Sequence, residues 1–208
     1  MRTRVKICGV TTPGDAALVE RAGVDAVGLN FHPASPRALD LARAEEVATA
    51  VSPFVAVVAV VVNPDAGFVE RLLRRVRVDC LQFHGEEEAQ FCGSFGVPYL
   101  KAVGVDATFD MGALERSHPD AAGFLLDAHD AERRGGTGQT FDWSRWPSSE
   151  RPLLLAGGLT PCNVGGAIAA TRPFGVDVAS GVEGRVKGRK DAARIEAFMA
   201  AVAAAPSA

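Results

Sequence analysis

The chain has 208 residues, of which 48% are hydrophobic and 23% charged, and its 22 basic and 25 acidic side chains give a formal net charge of −3. This hydrophobic content excludes a disordered chain. The near-balanced charge gives no basic surface of the kind that binds nucleic acid or an anionic membrane. The length corresponds to one globular domain, which we expect to span residues 1–208.

The N-terminus and the cysteines both indicate a protein that stays in the cytoplasm. Residues 1–12 carry positive charge but lack the apolar stretch of a secretory signal. The longest apolar run, 54–62, has nine residues, whereas a membrane helix needs about 20. The four cysteines form no CxxC pair and are too sparse for a disulfide framework. We therefore expect a cytoplasmic location and reduced thiols.

Short β-rich segments alternate with amphipathic helical patterns along the whole chain. The predicted strands are 5–8, 26–31, 54–62, 80–83, 99–103, 123–126, 153–156 and 176–179. The predicted helices are 15–22, 41–51, 66–76, 86–95, 111–116, 163–170 and 190–202. Proline beside Thr, Asn or Asp at 12–13, 63–65 and 160–161 is typical of helix starts. The strands are continuous apolar runs, which is typical of parallel strands buried on both faces.

The number of strands decides the fold class. Eight strand–helix units in 208 residues leave 26 residues for each unit. An open doubly wound sheet usually has five or six strands, whereas eight close a (β/α)₈ (TIM) barrel, whose lengths begin at about 200 residues. No linker divides the chain, and we interpret the glycine-rich segment 133–140 as a mobile loop within one unit. The sequence therefore predicts a single (β/α)₈ barrel.

Six of the predicted strands end in polar, reactive or glycine residues. They are Cys8–Gly9, Asn30 followed by His32, His84–Gly85, Asp127, Gly157–Gly158 and Ser180–Gly181. In barrels of this class the chemistry lies at the carboxyl ends of the strands. We therefore expect the functional site at this end.

The ends of the seventh and eighth strands predict a phosphate site. Gly157 and Gly158 follow one strand, and Ser180 and Gly181 follow the next. Glycines let the backbone approach an anion closely, and the loops after strands seven and eight are the usual phosphate site of the fold. The alternative is that these glycines only make tight turns.

Cys8 and Asp127 are candidates for a base and an acid. Lys6 lies two residues before Cys8 and so on the same strand face, where its ammonium would favour the reactive thiolate. Strands seven and eight separate strand one from strand six, so the two side chains can face each other across the barrel mouth. An acid and a base on opposite sides of a bound molecule suit a proton-transfer isomerase. The alternative is that Cys8 is a small buried hydrophobic residue.

Neither a metal nor a redox cofactor is predicted. The four histidines, His32, His84, His118 and His129, show no metal-ligand spacing, and no GxGxxG follows the first strand. We expect His118 to face solvent and the acidic run 86–88 to open a helix, where negative charge is favourable.

The remaining cysteines are predicted to be structural. They are Cys80, Cys92 and Cys162, with Cys92 partly exposed on the helix after strand four.

Several motifs resemble those of phosphoribosylanthranilate isomerases. They are KICG at 6–9, SPR at 35–37, LQFHG at 81–85, LLDA at 125–128, GGTGQTFDW at 135–143, LAGGLTPCNV at 155–164, DVASGVE at 177–183 and GRKD at 188–191. They occur in the family's order and cover nearly the whole chain. KICG with SPR is specific, whereas many barrels share the two phosphate loops.

The resemblance implies a reaction of tryptophan biosynthesis. It is the Amadori rearrangement of N-(5-phosphoribosyl)anthranilate to 1-(2-carboxyphenylamino)-1-deoxyribulose 5-phosphate, by general acid–base catalysis and without a cofactor. Asp127 would be the general acid on the furanose ring oxygen, and Cys8 the general base that removes the proton from C2. Arg37 would hold the anthranilate carboxylate, since a guanidinium matches a planar anion. His84 and Asp177 would line the sugar.

Departures from the family pattern are confined to the rim. His32 and Ala34 stand where an aromatic residue and a lysine are common, Gln139 stands where a lysine is common, and the segment 184–187 lacks the usual proline. They leave the implied acid, base and carboxylate clamp in place.

Three other readings stay open at this point. A dual isomerase that also serves histidine biosynthesis would need glycine-rich phosphate loops in both halves, whereas the first half has only the Gly9 turn. A silent sugar-phosphate binder would have no need of Cys8 and Asp127. A decarboxylating or epimerising relative would need a lysine or a set of metal ligands at several strand ends, which this sequence lacks. We expect a small-molecule substrate and a monomer, with a homodimer as the alternative.

Overall fold

The computed structural model describes residues 2–106, 108–127, 143 and 146–206. Its strands form a closed parallel barrel in chain order, in which the last strand pairs with the first. They are β1 Arg4–Cys8, β2 Ala26–Asn30, β3 Ala56–Val61, β4 Cys80–Phe83, β5 Tyr99–Gly104, β6 Gly123–Asp127, β7 Leu153–Ala156 and β8 Gly175–Val178. The predicted (β/α)₈ fold is confirmed.

Helices connect the strands and cover the outside of the barrel. They are α1 Pro13–Arg21, α2 Leu41–Thr49, α3 Ala66–Arg75, α4 Ala89–Gly93, α5 Met111–Ser117, α6 Val164–Thr171 and α7 Ala192–Ala204, with a 3₁₀ helix at Ser180–Val182. Within the described ranges, no helix has the length and apolar character needed to cross a membrane. The predicted loop 133–140, with Gln139, and His129 lie outside the described residues.

Alternation along the strands separates an apolar outer face from an inner face that carries polar residues and a smaller apolar cluster of Ala102, Leu125, Leu154 and Ala156. Ile7, Val27 and Leu81 point outward and join the core formed with the helices. The neighbouring positions on the same strands point inward, and the inner face carries Lys6 and Gln82, both buried. Since side chains alternate along a strand, the polar residues at every second position share the barrel interior.

The helix-start signals at 160–161 and 12–13 had different outcomes. Helix α6 begins at Val164 rather than at Pro161, because the Asn163 side chain organises the preceding turn: its Oδ1 accepts from the Thr160 amide at 2.7 Å and its Nδ2 donates to the Gly158 carbonyl at 3.0 Å. Helix α1 does start beside Thr12, whose hydroxyl accepts from the Asp15 amide at 3.1 Å.

The acidic run 86–88 opens a helix only at its last residue: Glu88 is the N-cap of α4, which begins at Ala89, and its side chain makes no cap hydrogen bond. Instead Glu87 is buried, with Oε2 3.0 Å from the Lys101 ammonium, and it accepts from the backbone amides of Asn63 and Gly85. Burial opposes its charge, but these hydrogen bonds and Lys101 lower the pKa of Glu87 overall. The role of Glu87 was not predicted because two of these three partners, Lys101 and Asn63, come from other parts of the chain.

Two expectations about exposure were wrong. His118 is buried against Tyr99, with ring centroids 6.2 Å apart, and burial lowers the pKa of its imidazole. Cys92 is fully buried rather than partly exposed. Cys162, expected to be structural, is exposed instead, whereas Cys80 is half-buried and burial raises the pKa of its thiol to about 11.

We expect Lys101→Met to destabilise the protein by about 3 kcal/mol, because it leaves the buried Glu87 carboxylate without its cation. The matched control is Arg43→Met, which breaks the exposed Arg43–Glu46 pair and should cost less than about 1 kcal/mol. Urea unfolding of both variants measures the difference. Equal losses would show that the buried pair contributes no more than a surface pair.

Candidate active site

The predicted site residues lie at one end of the barrel, because the carboxyl ends of parallel strands share one rim. They come from β1, β6 and β8 and from the loops after β2, β4, β7 and β8: Cys8, Asp127, Asp177, Arg37, His84, Gly157, Gly158, Ser180 and Gly181. Between β6 and β1 lie only β7 and β8 in the closed ring. Cys8 and Asp127 therefore stand on either side of the two glycine-containing loops.

A buried ion pair lies below the rim. Lys6 and Asp177 are register partners on β1 and β8, and their Nζ and Oδ1 atoms are 3.0 Å apart. Only 3% of the Lys6 side chain and 10% of the Asp177 side chain are exposed. Burial opposes the charge on Lys6, but Asp177 and the Cys8 sulfur raise the pKa of its ammonium overall. Lys6 is therefore a fixed cation inside the barrel.

The Cys8 thiol is held more strongly in its neutral form than the sequence suggested. Lys6 and Lys190 favour the thiolate, as expected for nearby ammonium groups, but burial together with Asp177 outweighs them and raises the pKa of the Cys8 thiol. The residue is 9% exposed. The resting side chain is thus a thiol whose ionisation is opposed by desolvation.

Gly28 makes room for this thiol. It is the register partner of Cys8 on β2, and a Cβ atom at this position would lie 2.7 Å from the Cys8 sulfur and 3.1 Å from the Lys6 ammonium. Any side chain at residue 28 would therefore displace the proposed base or the neighbouring cation.

His84 lies beside Asp127 across the inner face. Its Nε2 is 4.0 Å from Oδ2 of Asp127, and its Nδ1 is 3.5 Å from the amide nitrogen of Gln82. Burial lowers the pKa of the imidazole, against the opposing effect of Asp127. A neutral His84 that accepts from Gln82 at Nδ1 carries its proton on Nε2, on the side of Asp127.

Arg37 reaches the rim after β2, and one edge of its guanidinium is already in use. Nε donates to Oε1 of Glu183 at 2.6 Å and Nη2 donates to Oε2 at 2.8 Å. Glu183 raises the pKa of the guanidinium. The stem of Arg37 passes over Gly9, whose φ of 71° and lack of Cβ permit the crossing. The edge formed by the two terminal nitrogens points away from Glu183 and is the part that can take a ligand carboxylate.

The sequence reasoning missed Glu183 and Lys190 as members of the site. The Lys190 ammonium lies 3.2 Å from Oε1 of Glu183 and 2.7 Å from the backbone carbonyl of Cys8. Both residues are buried. The sequence signal that could have identified them is that Glu183 lies in the motif at 177–183 and Lys190 in the motif at 188–191.

The two glycine-containing loops form one surface. Gly157 and Gly158 have φ values of 93° and 62°, which favour glycine. Gly158 and Ser180 are exposed at the rim. A Cβ on Gly181 would run into the Leu159 backbone, so the loop after β8 packs directly on the loop after β7. Backbone amides of both loops can therefore approach the same anion.

Metal binding has no support in the described part of the chain, where no group of three or more His, Cys, Asp or Glu side chains could hold an ion. The prediction that the protein uses no metal or cofactor stays a prediction.

Comparison with known proteins decides the family. The family model for N-(5'-phosphoribosyl)anthranilate isomerase matches residues 5–201. The N-(5'-phosphoribosyl)anthranilate isomerase of Nitrosococcus oceani is 46% identical over 203 residues, covering 97% of this chain and 98% of that protein. The chain belongs to the phosphoribosylanthranilate isomerase family.

Solved structures of phosphoribosylanthranilate isomerases agree with this assignment. The crystal structure from Thermotoga maritima superposes with a TM-score of 0.87 at 38% identity, covering 97% of this chain and 98% of that one. Another, in complex with reduced 1-(o-carboxyphenylamino)-1-deoxyribulose 5-phosphate, has a TM-score of 0.84 at 36% identity, with the same coverage. The family resemblance, the isomerase activity and the small-molecule substrate expected from the sequence are confirmed.

The state of the Cys8 thiol can be tested by alkylation with iodoacetamide at a series of pH values, with modification of each cysteine followed by mass spectrometry. Because burial raises the pKa of Cys8, the rate for Cys8 should reach half its plateau at a higher pH in the folded protein than in the chain unfolded in guanidinium. Lys6→Met should move this midpoint further upward.

Arg4→Met is the matched control, since it removes a cation from the exposed start of the same strand and should leave the midpoint unchanged. A midpoint in the folded protein at or below that of the unfolded chain would show that Lys6 outweighs burial.

Proposed function

We propose that this family member carries out the Amadori rearrangement of N-(5-phosphoribosyl)anthranilate in tryptophan biosynthesis with Cys8 as general base and Asp127 as general acid. The observation that carries the proposal is the position of these two residues at the ends of β1 and β6, on either side of the glycine-containing loops. A sugar phosphate seated on those loops has an acid on one flank and a base on the other.

Asp127 starts the reaction. Its protonated carboxyl donates to the furanose ring oxygen, the C1–O bond breaks, and the anthranilate nitrogen takes up the positive charge as a protonated Schiff base. His84 lies 4.0 Å from the carboxyl and carries no charge at neutral pH, because burial lowers its pKa. His84 therefore contributes no fixed positive charge to this part of the site.

Cys8 completes the rearrangement. The thiol first releases its proton to solvent, and the thiolate then removes the proton from C2. The C2–H electrons form the C1–C2 double bond of an enolamine, and the Schiff base nitrogen becomes neutral. Tautomerisation of the enolamine gives the ketone at C2. Lys6 and Lys190 both lower the pKa of the Cys8 thiol and so support the thiolate against burial. These two cations are the reason that a desolvated thiol can serve as a base at all.

The two anionic ends of the substrate fit separate parts of the rim. The phosphate would be held by Gly157, Gly158, Ser180 and Gly181, where exposed loop positions and adjacent backbones offer amide donors. The anthranilate carboxylate would lie on the remaining edge of Arg37, with His84 and Asp177 beside the sugar between the two ends.

We also propose that the protein acts as a cytoplasmic monomer. Light scattering after gel filtration would measure its mass in solution.

Cys8→Ala and Asp127→Asn should each lower kcat by about 10² or more, because each removes the group that moves a proton. Binding of reduced 1-(o-carboxyphenylamino)-1-deoxyribulose 5-phosphate should change little. The assay generates the labile substrate in place from anthranilate and phosphoribosyl pyrophosphate with the preceding transferase, and follows the loss of its fluorescence.

Cys162→Ala and Asp65→Asn are the matched controls. Cys162 is exposed, and Asp65 caps α3, a role that asparagine fills equally well. Both should retain wild-type kcat. Retention of activity in Cys8→Ala or Asp127→Asn would remove that residue from the mechanism, and no turnover by folded wild-type protein would overturn the proposed function itself.

Arg37→Ala should raise KM by about 10-fold or more with a smaller effect on kcat, because it removes a charged contact made equally in the ground state and in the transition state. Steady-state kinetics in the same assay separate the two constants. An unchanged KM would assign the carboxylate to another partner.

A further inference from the structure

Glu183 and Lys190 close a loop over the carboxylate-binding arginine. They pair in an isolated antiparallel bridge, and the segment between them turns back on itself, with the Gly184 amide donating to the Arg189 carbonyl at 3.1 Å. The loop is fastened to the first β/α connection by the Thr11 hydroxyl, which donates to the Gly188 carbonyl at 2.7 Å. Residues 183–190 therefore hold a fixed position beside Arg37.

Lys190 has the full set of acceptors that an ammonium can use. Its side chain has no exposed surface, and Nζ donates to the carbonyls of Cys8 at 2.7 Å and Ala179 at 3.0 Å and to Oε1 of Glu183 at 3.2 Å. An ammonium has three N–H donors, so all three are satisfied. Lys190 thereby joins the end of β1, the residue after β8 and the Glu183 carboxylate.

Glu183 in turn accepts hydrogen bonds from Arg37 with both carboxylate oxygens. The bonds from Nε and Nη2, at 2.6 and 2.8 Å, form a planar fork that fixes the rotation of the guanidinium as well as its position. Glu183 is 4% exposed, and the cations on both sides lower the pKa of its carboxyl against the effect of burial. The carboxylate thus lies between two cationic partners; burial lowers the pKa of the Lys190 ammonium, and Glu183 opposes that effect.

We propose that Glu183, held in place by Lys190, is a positioning residue that presents the free edge of Arg37 to the carboxylate of the substrate. The inference rests on the proposed role of Arg37. An arginine side chain loses considerable rotamer entropy when it is immobilised, and the Glu183 fork imposes that loss before the substrate arrives. Substrate binding then gains two charge-assisted hydrogen bonds without having to order the side chain.

Steady-state kinetics distinguish a positioning role of Glu183 from a purely structural one, because only the positioning role predicts a change in KM. Glu183→Gln keeps the shape of the side chain, but only one of its two terminal atoms can accept a hydrogen bond from Arg37. It should therefore raise KM by about 10-fold while kcat changes by less than about 3-fold. Glu87→Gln is the matched control. It also neutralises a buried, lysine-paired carboxylate, but one that contacts Lys101 instead of Arg37, so it should lower stability without changing KM.

A double-mutant cycle shows whether Glu183 acts through Arg37. In the Arg37→Ala background, Glu183→Gln should have no further effect on KM, because the arginine that it positions is absent. If the two effects instead multiply, Glu183 acts independently of Arg37 and the inference is overturned. Wild-type KM in a folded Glu183→Gln variant would overturn it as well.

The design keeps failure of the inference distinct from failure of the proposed function. If Arg37→Ala alone leaves KM unchanged, it is the role of Arg37 that fails, and with it the basis of the inference. Where Glu183→Gln does not fold, Glu183→Asp keeps the charge but withdraws the carboxylate by one methylene, and the same rise in KM is expected. Wild-type KM in Glu183→Asp, with the fork shortened in this way, would count against positioning.

Discussion

The ion pair between Lys6 and Asp177 joins the first and last strands of the barrel at the seam where the ring closes. A (β/α)₈ barrel normally fills its interior with branched apolar side chains. Here the seam carries two charges that are nearly inaccessible to water, and each is tolerable only because the other is present. Both charges also act on Cys8 and His84, although burial has the largest effect on each.

Burial opposes the ionisation of both Cys8 and His84, against neighbouring charges that favour it. Burial keeps Cys8 neutral, and the cations Lys6 and Lys190 limit how far that effect goes. Burial also keeps His84 neutral, although Asp127 favours its protonation. The fixed charges at the barrel mouth therefore belong to supporting residues, whereas Cys8 and His84 are neutral at rest.

The sequence predicted the residues whose position depends only on where a strand ends. Cys8, Asp127 and the glycines after β7 and β8 were recognisable because every parallel strand delivers its last residue to the same rim. It could not predict partners that folding brings from distant parts of the chain. Arg37 and Glu183 are 146 positions apart. Glu87 was interpreted as an anion at a helix start, because the sequence does not show that Lys101, 14 positions away, lies beside it.

The hydrogen bonds between Glu183 and Arg37 affect which anions Arg37 can bind. An arginine with all five N–H groups available can wrap a tetrahedral phosphate as readily as it pairs with a flat anion. Two of those donors are committed to Glu183, and the remaining edge matches a planar, singly charged group. The nearby anion of Glu183 also repels a dianion more strongly than a monoanion. With the phosphate on the glycine-containing loops and the carboxylate on Arg37, as we propose, a substrate that carries one of each would bind in only one direction.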